Sequence, residues 1–318
     1  MGNRSFFKLP ILFVVVNFLV LFGIYLGMIW LFFSEHDNDY YLSEFTAQVF
    51  SLTFYNMREL FFYFVLASIG CYRARLYDVT EKNIMIVAGI AVIAAIFNTV
   101  FSALWQTGYM ALLDFLFQYY YSSDFWISAG MFILSLINLA LVAVLILFLF
   151  SRWGKSEHNT SLVFEITAEN SGWIHNVLFT ASVMVIVMYF SSYFLAEQIF
   201  PSFYYDMADA VIMLLVLIAV GGFNSLFIYF SARRRFIQSY STLQISKVLK
   251  SAGITLGIVL GIVVISLVIL GFFLFEYFDH QGFDVLFMYL IFSFVALVVI
   301  GYVTMFLSSR FAVRKYFS

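Results

Sequence analysis

Residues Leu139–Lys155 read LALVAVLILFLFSRWGK: an unbroken apolar run, Leu139–Phe150, that stops at Arg152 and Lys155. A strand of a membrane barrel alternates apolar and polar residues, and this run does not. Lipid offers backbone N–H and C=O groups no partner, so such a segment must satisfy them internally, as a helix. The basic residues at its end mark the face on which positive charge is retained during insertion.

The same grammar recurs along the chain. Apolar stretches at about 11–33, 53–72, 84–105, 125–150, 177–197, 206–230, 252–275 and 283–308 predict eight spans. The connections at Ser34–Thr46, Gln106–Asp124, Gln198–Tyr205 and Glu276–Gly282 contain no Lys or Arg. The basic residues sit instead at the N-terminus, in the alternate loops and at the C-terminus: Arg4, Lys8, Arg73, Arg75, Lys82, Arg152, Lys155, Arg233–Arg235, Lys247, Lys250, Arg310, Arg314 and Lys315. This sorting predicts an all-α, polytopic bundle of eight transmembrane helices with both termini cytoplasmic. It divides the chain into a four-helix half at 1–150, a cytoplasmic loop at 151–176 and a second four-helix half at 177–318. In each half the second span ends in an Arg cluster and the fourth in a basic tail, as in a 4+4 parallel repeat. The positive-inside pattern alone would generate most of that likeness.

Composition agrees. The chain is 64% hydrophobic and 11% charged, with mean hydropathy +0.99, well outside the range of soluble domains. No connection reaches the roughly 50 residues that a soluble catalytic domain needs. The reading is therefore of a non-enzyme, with no nucleic-acid partner and no cofactor. His36, His158, His175 and His280 fall in loops without metal or haem spacing, and no HExxH, GxSxG or P-loop occurs. The lone Cys71 excludes an intrachain disulfide. The opening Arg4, Lys8 and apolar run lack a small-residue cleavage site and read as a retained span. The absence of disulfides, and of a sequon in the non-basic loops, points to a bacterial inner membrane. The sequon at Asn159–Ser161 falls on the basic side.

Within this frame Arg58 is the one basic residue off the basic side, placed inside the second span beside Glu59. Neighbouring positions do not face each other on a helix, so an ion pair is expected with Glu197, Asp209 or Glu276; Arg58 snorkelling to headgroups is the alternative. Asn17, Asn98, Asn138 and Asn224 fall at several depths, as interhelical glue or as the lining of a polar pathway. Gly253, Gly257 and Gly261, four apart, expose one face of the seventh span for close packing against another helix or for a homodimer seam. Ala91 and Ala95 form a weaker stripe that the seventh span could meet. Met110–Tyr121 reads as an interfacial helix. Ser231–Ser251, with Arg233, Arg234, Arg235, Lys247 and Lys250, reads as a basic amphipathic stretch held by the lipid bilayer or docking a cytoplasmic partner. Tyr residues concentrated on the non-basic side form an interfacial belt or a cage for an organic cation. The second reading is the weaker.

Two function classes follow: a permease or membrane-embedded subunit of a transport assembly, or a non-transporting scaffold, accessory or sensor subunit. Pro10 and Pro201 are the only prolines, so no span should be broken by one. That counts against a broken-helix transporter.

Overall fold

The computed structural model describes residues 6–34, 41–116, 124–154, 166–199, 207–278 and 283–317. Expectations that fall on Arg4, His36, Tyr40, Tyr119–Tyr121, Lys155, His158, Asn159–Ser161, Pro201, Tyr204, Tyr205 and His280 lie outside the described residues, as do the side chains of Glu197, Glu276 and Tyr277. Nine α-helices are found among them: α1 Lys8–Ser34, α2 Tyr41–Arg58, α3 Leu60–Arg73, α4 Glu81–Leu116, α5 Asp124–Trp153, α6 Ala168–Phe194, α7 Met207–Ala232, α8 Ile245–Phe278 and α9 Phe283–Phe317. No strand occurs among the described residues. Seven helices are long and apolar enough to cross a membrane, which suits a multi-pass membrane protein. The expected span at Thr53–Tyr72 is instead shared between α2 and the short apolar α3.

The chain forms two compact units, residues 1–164 with 192–217, and residues 165–191 with 218–318. In the first, α1, α3, α4 and α5 enclose the core. Val87, Ile90, Ala91, Ala94, Ala95 and Asn98 are all buried on α4. Their spacing of three and four puts them on one helix face. Small residues on that face allow a close approach, and the Asn17 amide of α1 donates to the Ala91 carbonyl at 3.2 Å. The alanine stripe therefore receives α1. Gly70 of α3 is equally close to α5, where an added Cβ would overlap the buried Phe150 ring.

The basic end of α3 closes in a Schellman turn. The Leu76 N–H donates to Cys71 O at 2.9 Å, and the Arg75 N–H to Tyr72 O at 3.2 Å. Arg75 takes φ 55°, the left-handed position that glycine usually fills. Buried Leu76 anchors the motif.

Two expectations about loops are corrected. Met110–Leu116 continue α4 and do not form a separate surface helix. Only Gly108 interrupts good helix formers there, a cost of about 1 kcal/mol that does not end a helix. At 36 residues, α4 runs roughly 54 Å, well beyond a hydrocarbon core of about 30 Å. The expected loop at 151–176 is helical from Ala168. Thr167 caps α6, with its own N–H bonded to the Asn170 side chain at 2.8 Å, a variant of the capping box.

In the second unit the described packing gathers at one end. His175 of α6 is buried, not a loop residue. Its Nδ1 meets Ser171 O at 2.7 Å, and its Nε2 accepts the Gln244 N–H at 2.9 Å. The ring lies 5.7 Å from Tyr240 and 5.3 Å from Phe317, centroid to centroid. The Ser231–Ser251 stretch is accordingly not one surface helix. It comprises a 3-10 turn at Arg233–Arg235, a folded segment and the first turns of α8. Leu243 and Val248 are buried.

Candidate functional site

The helix through the second expected span stops for one residue at Glu59. The Glu59 N–H donates to Asn56 O at 3.2 Å, three residues back in place of four, and the Tyr63 N–H resumes the regular pattern on Glu59 O at 3.1 Å. Neither Pro nor Gly causes the break. Arg58 closes α2 and Glu59 precedes α3, so each charge lies at the helix end whose dipole favours it.

The interruption changes which side chains meet. Arg58 Nη2 lies 3.9 Å from Glu59 Oε1, a contact that neighbouring positions on an unbroken helix would not make. Arg58 thus has its own neighbour as an ion-pair partner; the side chains of Glu197 and Glu276 lie outside the described residues. Its guanidinium also sits 5.0 Å from the centre of the Tyr55 ring. The Arg58 side chain is 28% exposed and Glu59 13%, so the pair opens at its cationic end.

From the carboxylate a relay runs across the unit. The Asn98 amide of α4 donates to Glu59 Oε2 at 3.4 Å. The Asn138 amide of α5 donates to Asn98 Oδ1 at 2.5 Å. The polarity follows from the carboxylate, which only accepts when ionised. Asn98 must turn its NH₂ to Glu59, so its carbonyl faces Asn138, which must present NH₂ in turn. That leaves Asn138 Oδ1 buried with no partner among the described residues, and Asn56 Nδ2 is in the same state. Buried polar atoms in this state call for water or a ligand. Tyr25 of α1 adds a phenol within hydrogen-bond reach of the Thr99 hydroxyl and close to Glu59 and Arg58.

One turn beyond the amides on both helices lies an apolar cavity of about 610 Å³, walled by Phe101, Leu104, Trp105, Gly108, Tyr109, Leu112 and Leu134.

Four of the six intramembrane candidates, Arg58, Glu59, Asn98 and Asn138, are therefore brought together, while Asn17 bonds instead to the Ala91 carbonyl. Asn224 is not among them: it belongs to the second unit, within hydrogen-bond reach of Tyr302 of α9. Tyr25, Asn56 and Thr99 escaped the sequence reading, although Asn56 and Thr99 are one turn or less from Glu59 and Asn98. No group of three His, Cys, Asp or Glu suited to a metal occurs among the described residues. An added Cβ at Gly253, Gly257 or Gly261 meets nothing within 4 Å. Among the described residues, then, no close contact is seen on the glycine face.

Comparison with known proteins adds no family: no family model, no curated protein and no solved structure matches the chain.

Proposed function

We propose that the chain is a permease, or the membrane-embedded subunit of a transport assembly, with its polar site at Arg58, Glu59, Asn98 and Asn138. The observation that carries this reading is the helix interruption at Glu59, with an ion pair at the break and two amides continuing from it across α4 and α5. Charges inside a bilayer are costly and mark substrate, ion or proton paths. Discontinuous helices are a recurrent way of building such sites. In this reading α2 and α3 together make the second of eight crossings, and both termini are cytoplasmic. The halves form a parallel repeat, and the membrane is a bacterial inner membrane. The charge sorting supports that orientation. The apolar cavity beside the relay suits a solute with an apolar portion as well as a polar one.

The test starts with gentle purification from the native membrane and identification of what accompanies the chain. Arg58→Gln and Glu59→Gln variants then follow in the source cell. The expected result is loss of the deletion-complementing activity with the fold intact. Full complementation by both variants overturns the transport site.

A second reading, a non-transporting scaffold, accessory or sensor subunit, is favoured by a different observation. The most apolar stretch of α8 is only 6% buried, and its glycine face is open. Another membrane subunit or a second copy would cover it. A stoichiometric partner retained by the Arg58 and Glu59 variants would favour this alternative.

A further inference from the structure

The second unit concentrates positive charge at one end by tertiary contact. The Arg310 Nε of α9 donates to Ser231 O of α7 at 3.3 Å. The Gln238 N–H donates to Phe317 O at 3.2 Å, and the Ser251 hydroxyl of α8 to Ala312 O at 3.4 Å. These bonds draw the end of α7, the start of α8 and the end of α9 to one place. Arg233–Arg235, Lys247, Lys250, Arg310, Arg314 and Lys315 are therefore gathered at this one end of the unit. Against them, the only acidic residue among the unit's described side chains is Glu169.

The cations divide by what they touch. Lys247 donates to the Tyr240 hydroxyl at 3.0 Å, and Arg310 lies 3.9 Å over the Phe306 ring; both hold the fold together. Arg233, Arg234 and Lys250 are exposed, and no carboxylate among the described residues pairs with them. Exposed apolar side chains interleave with them: Phe230, Ile237 at 70%, Leu249 and Phe311. All lie at or beside the ends of the apolar runs Met207–Arg235, Ile245–Phe272 and Ile291–Phe317, where acyl chains give way to headgroups.

We propose that this end of the second unit is a binding site for an anionic glycerophospholipid. Arg233, Arg234 and Lys250 take the phosphodiester headgroup, and Ile237, Leu249 and Phe311 line its acyl chains. Arg is suited to phosphate by its planar fork of donors, and a polybasic cluster at a span end is attracted to anionic lipid. Apolar side chains among the cations distinguish this surface from a purely charged dock for a soluble acidic protein.

The test is native mass spectrometry of the full chain in neutral detergent, with phosphatidylglycerol and phosphatidylcholine supplied equally. Phosphatidylglycerol should be retained preferentially. Retention should fall about tenfold or more in Arg233→Gln/Arg234→Gln/Lys250→Gln, since each basic residue contributes roughly fivefold. A control removing as many charges from the first unit, Arg73→Gln/Lys82→Gln/Arg152→Gln, should lower it by less than about threefold. The charge-preserving Arg233→Lys/Arg234→Lys/Lys250→Arg should keep the preference, which guards against loss through misfolding. Raising the salt on the wild-type protein should weaken retention without any mutation. Equal retention of the two lipids by the wild-type protein overturns the proposal, as does equal loss in the triple variant and the first-unit control. Charge-dependent capture of an acidic soluble protein, with no lipid preference, overturns it in favour of a protein dock.

Discussion

The Asn138 amide nitrogen lies 2.5 Å from the carbonyl oxygen of Asn98, joining α5 to α4. Asn98 in turn reaches Glu59 at 3.4 Å, so one amide serves two neighbours. Asn98→Ala should leave both short of a partner and cost about 1–3 kcal/mol. A double-mutant cycle with Asn138→Ala should give a coupling of about 0.6–1.7 kcal/mol, the range of interhelical bonds in membranes. Cys71 is the only cysteine and is buried in this unit. Its maleimide labelling against denaturant therefore reads the unfolding directly. Additive single effects would show that the two amides act separately.

Two glycines should respond oppositely to the same change. A Cβ at Gly70 overlaps the Phe150 ring, whereas one at Gly257 meets nothing within 4 Å. Gly70→Ala should destabilise the first unit by about 1–3 kcal/mol through overpacking. Gly257→Ala should change stability by less than about 0.5 kcal/mol. Thermal unfolding in detergent compares them. A large loss at Gly257 would reveal a close contact on that face.

Arg75 occupies the left-handed position of a Schellman turn at φ 55°. Relief of the Cβ clash predicts that Arg75→Gly stabilises by up to about 1 kcal/mol. Arg75→Val should do the reverse, because a β-branched residue tolerates that conformation least. The shift in unfolding midpoint decides. Destabilisation by glycine would mean that the Arg75 side chain contributes more than its backbone costs.

His175 accepts the Gln244 backbone N–H at 2.9 Å and meets Ser171 O at 2.7 Å. His175→Leu keeps the volume and removes both bonds, leaving a backbone donor stranded at a cost of about 1–3 kcal/mol. The segment between the 3-10 turn and α8 should then become sensitive to limited proteolysis. Unchanged protection would show that the aromatic contacts of Phe236, Tyr240 and Phe317 hold it without the histidine.

The candidate site was legible in parts. Arg58 and Glu59 stood out as charges inside an apolar stretch, and Asn98 and Asn138 as amides inside two others. Their assembly was not legible, because depth along a helix says nothing of which face a residue takes once helices pack. The break at Glu59 had no Pro or Gly to announce it. For that reason the Arg58–Glu59 contact looked forbidden by helical spacing. Asn224 has the same chemistry, yet it lies within hydrogen-bond reach of Tyr302. His175 was misread because the Thr167–Asn170 cap, which starts α6 early, uses Asn where the commoner pattern has Glu or Gln.

The sequence by itself determined a helical chain with several apolar segments long enough to cross a membrane. Those properties depend on hydropathy and composition summed over some twenty residues, and no neighbour is needed to read them. Only the tertiary structure decided that Ala91 receives α1 while Gly257 meets nothing, and that Glu59 leads to Asn98 and Asn138. It also decided that Lys247 is held by Tyr240 while Lys250 stays exposed. Each of these depends on which helix faces pair. In an apolar bundle many faces look alike, and a few polar atoms and small side chains select among them.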